Sequence, residues 1–173
     1  MIFGLSTSAF TTLHVVITLI AIATSFIVMF GMITSKAMPG WTAICLLFTV
    51  LTSVTGFMFP IEGFTPAIGT GVISSLLLIV ALIALYAKHL TGSWRWLYVV
   101  TAVAAFWFNV FVLIVQSFEK LSLLNPAAPM VGPPFAGSVN TAFIIAQSVA
   151  LVIFVVIGFV AARKFRPGAS PLV

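Results

Sequence analysis

The residues able to do chemistry in this chain are few and regularly spaced. Two histidines, one cysteine and two acids are set in a sequence that is 62% apolar. His14 is the one ionisable side chain inside a long apolar run, and an ionisable group within a membrane span is a functional candidate by default. Thr11, His14, Thr18 and Ser25 follow at i, i+3, i+7 and i+14, so a helix presents all four on one face. That face should meet protein, not acyl chains. Two carboxamide pairs, Asn109 with Gln116 and Asn140 with Gln147, each repeat at seven residues and so also share a helix face. Thr52 and Ser53 add hydroxyls. Such groups hydrogen-bond either to one another or to the polar atoms of a ligand. An imidazole, which titrates near neutrality, can relay protons, ligate a metal or donate to a quinone-like carbonyl.

Other chemistries are poorly served. A bis-histidine haem is disfavoured because His89, the only other histidine, is assigned to the opposite side of the membrane. Zinc or copper needs three or four N, S or O ligands, and no His, Cys or carboxylate set has that spacing. Met29, Met32 and Met38 near the inner end of the first helix read as packing. Glu62 and Glu119, the only acids, fall in outer loops flanking spans, where carboxylates are ordinarily solvated. There is no nucleophile motif, no glycine-rich phosphate loop and no voltage-sensor series of Arg and Lys. A non-enzymatic role is expected, and no cofactor is indicated. Phe106, Trp107, Phe108 and Phe111 either wall a flat ring ligand or pack the core.

The elements that position these residues follow from hydropathy. With 5% charged residues and a mean hydropathy of +1.33, the chain lies far from soluble composition, where about a quarter is charged. An α-helix needs about 20 apolar residues to cross a bilayer. Five such runs, near 10–33, 41–59, 68–87, 95–117 and 140–162, predict an all-α, single-domain bundle of five transmembrane helices. The first run lacks preceding basic residues and a cleavage site, so it is expected to be retained as a span. All nine prolines fall outside these runs. Four of them lie in the long outer loop 118–139, where proline cannot continue a helix. Within that loop, Asn125, Met130 and Pro133-Pro134-Phe135 suggest either a stiff connector or a fold-back over the bundle.

The net charge of +5 is an orientation signal and not a nucleic-acid one. Lys36, Lys88, Arg95, Arg163, Lys164 and Arg166 fall on one side of the five spans and Lys120 on the other. The positive-inside rule then puts the C-terminus in the cytoplasm and the N-terminus outside. Trp41, Tyr86, Trp94, Trp96 and Tyr98 gather on the basic side as an expected headgroup belt. Cys45 lies inside an apolar run and, as the one cysteine, can form no intrachain disulfide. Gly71 with Ser75 and Gly158 with Ala162 are small-residue pairs that permit close helix contact.

At a rise of about 1.5 Å per residue, His14, Thr18, Thr52, Ser53, Asn109, Gln116, Asn140 and Gln147 all reach the outer half of the bilayer. This asymmetry leads us to expect a polar pocket there, open to the outside. Interhelical hydrogen bonds, each worth about 0.6 kcal/mol, are the plainer reading of any single member. The stretches Thr52-Ser53-Val54-Thr55-Gly56-Phe57-Met58-Phe59-Pro60, Asn109-Val110-Phe111-Val112-Leu113-Ile114-Val115-Gln116 and Pro133-Pro134-Phe135 resemble an uncharacterised group of small multi-pass membrane proteins of proteobacteria. The resemblance covers nearly the whole chain and implies a bacterial inner membrane, with no activity or site attached. The expected function is binding of a small lipid or quinone-like ligand, or service as an accessory subunit of a membrane complex. Membrane lipids, further copies of the chain or a larger complex are its expected partners. A small transporter or channel is the second reading and a quinone-linked redox enzyme the third.

Overall fold

The computed structural model describes residues 4–60, 66–121, 123–124 and 141–166. Five helices appear where the apolar runs demand them: α1 (Thr7–Ile33), α2 (Pro39–Phe57), α3 (Pro66–Leu82), α4 (Ser93–Lys120) and α5 (Thr141–Lys164). α3 continues through a π-helical turn, Ile83–Ala87. Counting that turn with α3, each of the five is long and apolar enough to cross a membrane. The chain is a multi-pass α-helical bundle.

The ends of the helices are set by local chemistry. Ser6 caps α1 by accepting from the Ala9 N–H at 3.2 Å. Pro39 opens α2, where a missing N–H costs nothing. α4 runs on to Lys120, so Glu119 belongs to its last turn and not to a loop. Hydropathy trims a span at its first charges, whereas the helix itself persists through the headgroup layer. Glu62, Asn140 and the segment Asn125, Met130 and Pro133-Pro134-Phe135 lie outside the described residues.

α1 ends in a Schellman cap: Lys36 N–H donates to the Gly31 carbonyl at 2.9 Å and Ser35 N–H to that of Met32 at 3.3 Å. Ser35 takes the left-handed conformation this requires, with φ of 55°. A Cβ on Gly31 would lie 3.1 Å from the Lys36 carbonyl oxygen, so glycine lets the chain fold back this tightly.

The helices pack as a closed ring, α1 on α2, α2 on α3, α3 on α4, α4 on α5 and α5 back on α1, with α4 also reaching α1. In their most apolar windows α1 and α4 are each 44% buried and α5 only 6%, so α5 runs along the outside. The densest packing lies in the half of the bundle that contains the start of α4. Met29, Met32, Cys45, Leu46, Ala81, Ala84, Tyr98, Ala102 and Phe106 form it. Alanines at 0% exposure on α3 and α4 allow those backbones to approach closely. Gly158 packs against Val103 of α4 and Gly71 against the Phe57 ring, so both small-residue pairs serve contacts within the chain.

Three chain segments are tied together at the basic end. Arg95 Nη1 donates to the carbonyls of Ala162 and Phe165, capping α5 with a cation where its dipole is negative. Arg166 N–H donates to Ser35 Oγ at 2.9 Å. Between the π turn and α4, His89 and Leu90 have φ of 48° and 55°, and Gly92 has φ of 52°.

Candidate functional site

The expected outer-half residues that are described lie in the half opposite the basic end, but His14, Thr18, Thr52 and Gln147 bond to separate neighbours. His14, in the second turn of α1, places Nδ1 2.7 Å from Thr55 Oγ1 on α2. Thr55 Oγ1 is also 2.7 Å from the Leu51 carbonyl oxygen. A carbonyl only accepts, so the hydroxyl proton of Thr55 goes to Leu51, and His14 Nδ1–H donates to Thr55. The neutral ring then keeps its lone pair on Nε2. Phe59 meets the imidazole edge-on, ring centroids 5.4 Å apart, and the Phe59 ring in turn packs edge-on against Phe10 at 5.1 Å.

Thr18 and Thr52 satisfy their hydroxyls on their own helices, donating to the carbonyls of His14 and Phe48 at 2.8 Å and 2.9 Å. Ser53 is half-buried, while Thr11, at the start of the expected face, is exposed and donates back to Thr7. Gln147 Nε2 donates across to the Phe111 carbonyl at 3.0 Å, joining α5 to α4. Asn109 is 8% exposed and Gln116 is exposed, so the two do not share an environment despite their spacing. Among the described residues Asn109 Nδ2, Gln147 Oε1 and Ser74 Oγ are buried without a hydrogen-bond partner.

A cavity of about 500 Å³ instead opens at the basic end. Its floor is Val28, Met32, Leu85, Leu90, Tyr98 and Phe165, all buried. Its rim is Lys36, Ala37, Met38, Pro39, Gly40, Thr42, Ala43 and Tyr86. Tyr98 was expected in the headgroup belt. At 1% exposure it is instead a core residue, its ring 6.1 Å from that of Phe165. Trp41, Tyr86 and Trp96 remain half-exposed, as belt residues should be.

The π turn is part of this cavity. It rotates the end of α3 so that Leu85 and Tyr86 both face the cavity, and Leu90, held by its N–H on the Ala84 carbonyl at 3.0 Å, closes the floor. π turns inside α-helices occur frequently at functional sites. The sequence carried part of this signal in Met32, Met38 and the Pro39-Gly40 turn, but nothing in it marks the π register.

A second, wholly apolar groove of about 250 Å³ separates α4 from α5, with Val103, Trp107, Phe154, Gly158 and Phe159 in its walls. Phe106, 0% exposed, is core, whereas the Trp107 ring meets Phe108 and Phe111 in tilted contacts at 4.8 Å and 5.5 Å. Compared with known proteins, the chain matches no protein-family model, no curated protein and no solved structure.

Proposed function

We propose that this protein is a non-enzymatic membrane component that holds one small amphiphile, a lipid or a quinone-like molecule, in the basic-end cavity. It does so alone or as the accessory subunit of a larger membrane complex. The resemblance to small proteobacterial membrane proteins supports a bacterial inner membrane. The distribution of Lys and Arg supports a cytoplasmic C-terminus, with the cavity in the inner leaflet half.

One observation carries this reading. The cavity has the volume of a ligand site, generally about 300–1,000 Å³, and its composition also fits: an apolar floor with a few polar groups at the rim. The floor suits a chain or ring. Lys36, Thr42 and Tyr86 suit a polar head. The candidate site thus moves from the outer half, where His14 and Gln147 bond to neighbouring helices, to the opposite end.

The test is mass spectrometry of small molecules retained on the protein in mild detergent. Wild type should carry a defined amphiphile, and Ala43→Trp, which fills the cavity from an exposed wall position, should lose it while remaining folded. Equal retention by both proteins would refute the reading.

A further inference from the structure

We propose that the head of the bound amphiphile is anionic and is recognised by Lys36, an inference that rests on the proposed cavity. Lys36 is fixed at the rim by the Schellman cap of α1, through its N–H on the Gly31 carbonyl. None of its neighbours in charge lines the cavity. Arg95 holds the carbonyls of Ala162 and Phe165, Lys88 lies 5.5 Å over the Trp94 ring and Arg163 lies 4.3 Å over Phe159.

Among the described residues no carboxylate lies at this end. The chain has two acids, and Glu119 closes α4 at the far end, about 40 Å away at the rise of an α-helix. Lys36 therefore lines the cavity with a basic surround and, among the described residues, no carboxylate beside it. A cation at the rim of an apolar floor fits a tail inserted toward Met32 and Tyr98 and a negative head at the membrane surface. Basic pockets between helices on the cytoplasmic side bind anionic head groups by this arrangement. Thr42 and Tyr86 at the same rim supply hydroxyls for ester or phosphate oxygens.

The experiment is native mass spectrometry of the full chain in detergent, titrated with dioleoyl phosphatidylglycerol and, separately, dioleoyl phosphatidylcholine. The acyl chains are identical, so only the head differs. One lysine near a membrane surface gives about a fivefold preference for the anionic lipid, and Lys36→Gln should reduce it to within about twofold. Lys88→Gln, off the cavity, should keep it. Equal binding of the two lipids to wild type, or a preference that survives Lys36→Gln, overturns the inference. Millimolar inorganic phosphate should leave the lipid bound, and displacement would assign the site to a free anion and overturn the lipid head. Ala43→Trp separates the two readings. Weakened binding of both lipids supports the cavity whatever the head-group result, and unchanged binding of both removes the cavity and this inference together.

Discussion

His14 illustrates how a residue that stands out in sequence can be spent on packing. Its Nδ1–H donates to Thr55, and the pair links α1 to α2 with His14 half-buried and Thr55 buried. Thr55→Val removes the acceptor and leaves the imidazole donor unpaired, so thermal unfolding in detergent should show a loss of about 1 kcal/mol, within the range for interhelical bonds in membranes. No loss would mean that the ring is satisfied elsewhere. Ser74 gives the opposite expectation. Its buried hydroxyl has no partner among the described residues, so Ser74→Ala should be neutral or stabilising by up to about 1 kcal/mol in the same measurement. A clear destabilisation would reveal a polar group bound there. These residues were legible by type and depth, because polarity in an apolar run is visible in one dimension. Their partners were not, since Thr55 lies 41 residues from His14.

The elements at the basic end are held by backbone geometry more than by side-chain pattern. Gly92 has φ of 52° and ψ of −125°, a conformation essentially confined to glycine. Gly92→Ala should therefore destabilise by about 1–3 kcal/mol, the cost of forcing a Cβ into that region, and calorimetry in detergent would measure it. Arg95 acts at the same scale. With α5 otherwise nearly unburied, loss of the guanidinium frees the carbonyls of Ala162 and Phe165. Arg95→Gln should speed amide hydrogen exchange over the last turn of α5, including the Phe165 N–H now bonded to Ala161 at 2.7 Å. Unchanged exchange would place the anchor of α5 elsewhere. Five spans were readable to within a few residues from hydropathy, with prolines at or beyond their ends. The π turn was not, because an i to i−5 register leaves the apolar composition of the run unchanged.

Across the whole molecule, charge and packing share one polarity. Six of the seven basic residues lie at the end where the core is densest and the cavity opens, and Lys120 lies at the other. The proposed orientation is tested by labelling intact cells with a membrane-impermeant thiol reagent. Lys120→Cys should react from outside and Arg166→Cys only after permeabilisation, while Cys45, 0% exposed, stays silent. The reverse pattern would move the cavity to the outer leaflet and detach the anionic-head inference from the cytoplasmic surface. At this scale the described hydrogen bonds of the expected outer cluster run to separate neighbours. Depth along a helix follows from residue number, but the direction each group faces depends on how five helices rotate and tilt against one another.

Sequence alone determined that this chain forms five apolar helices, their ends to within a few residues, and that its charge is segregated to one end, because bilayer thickness and backbone hydrogen bonding leave a long apolar run no other stable form. Tertiary structure alone decided which polar groups meet and where space remains. Those outcomes depend on the Gly31 turn and the π register after Leu82, which apolar composition leaves unmarked, and on contacts between distant segments such as Tyr98 with Phe165.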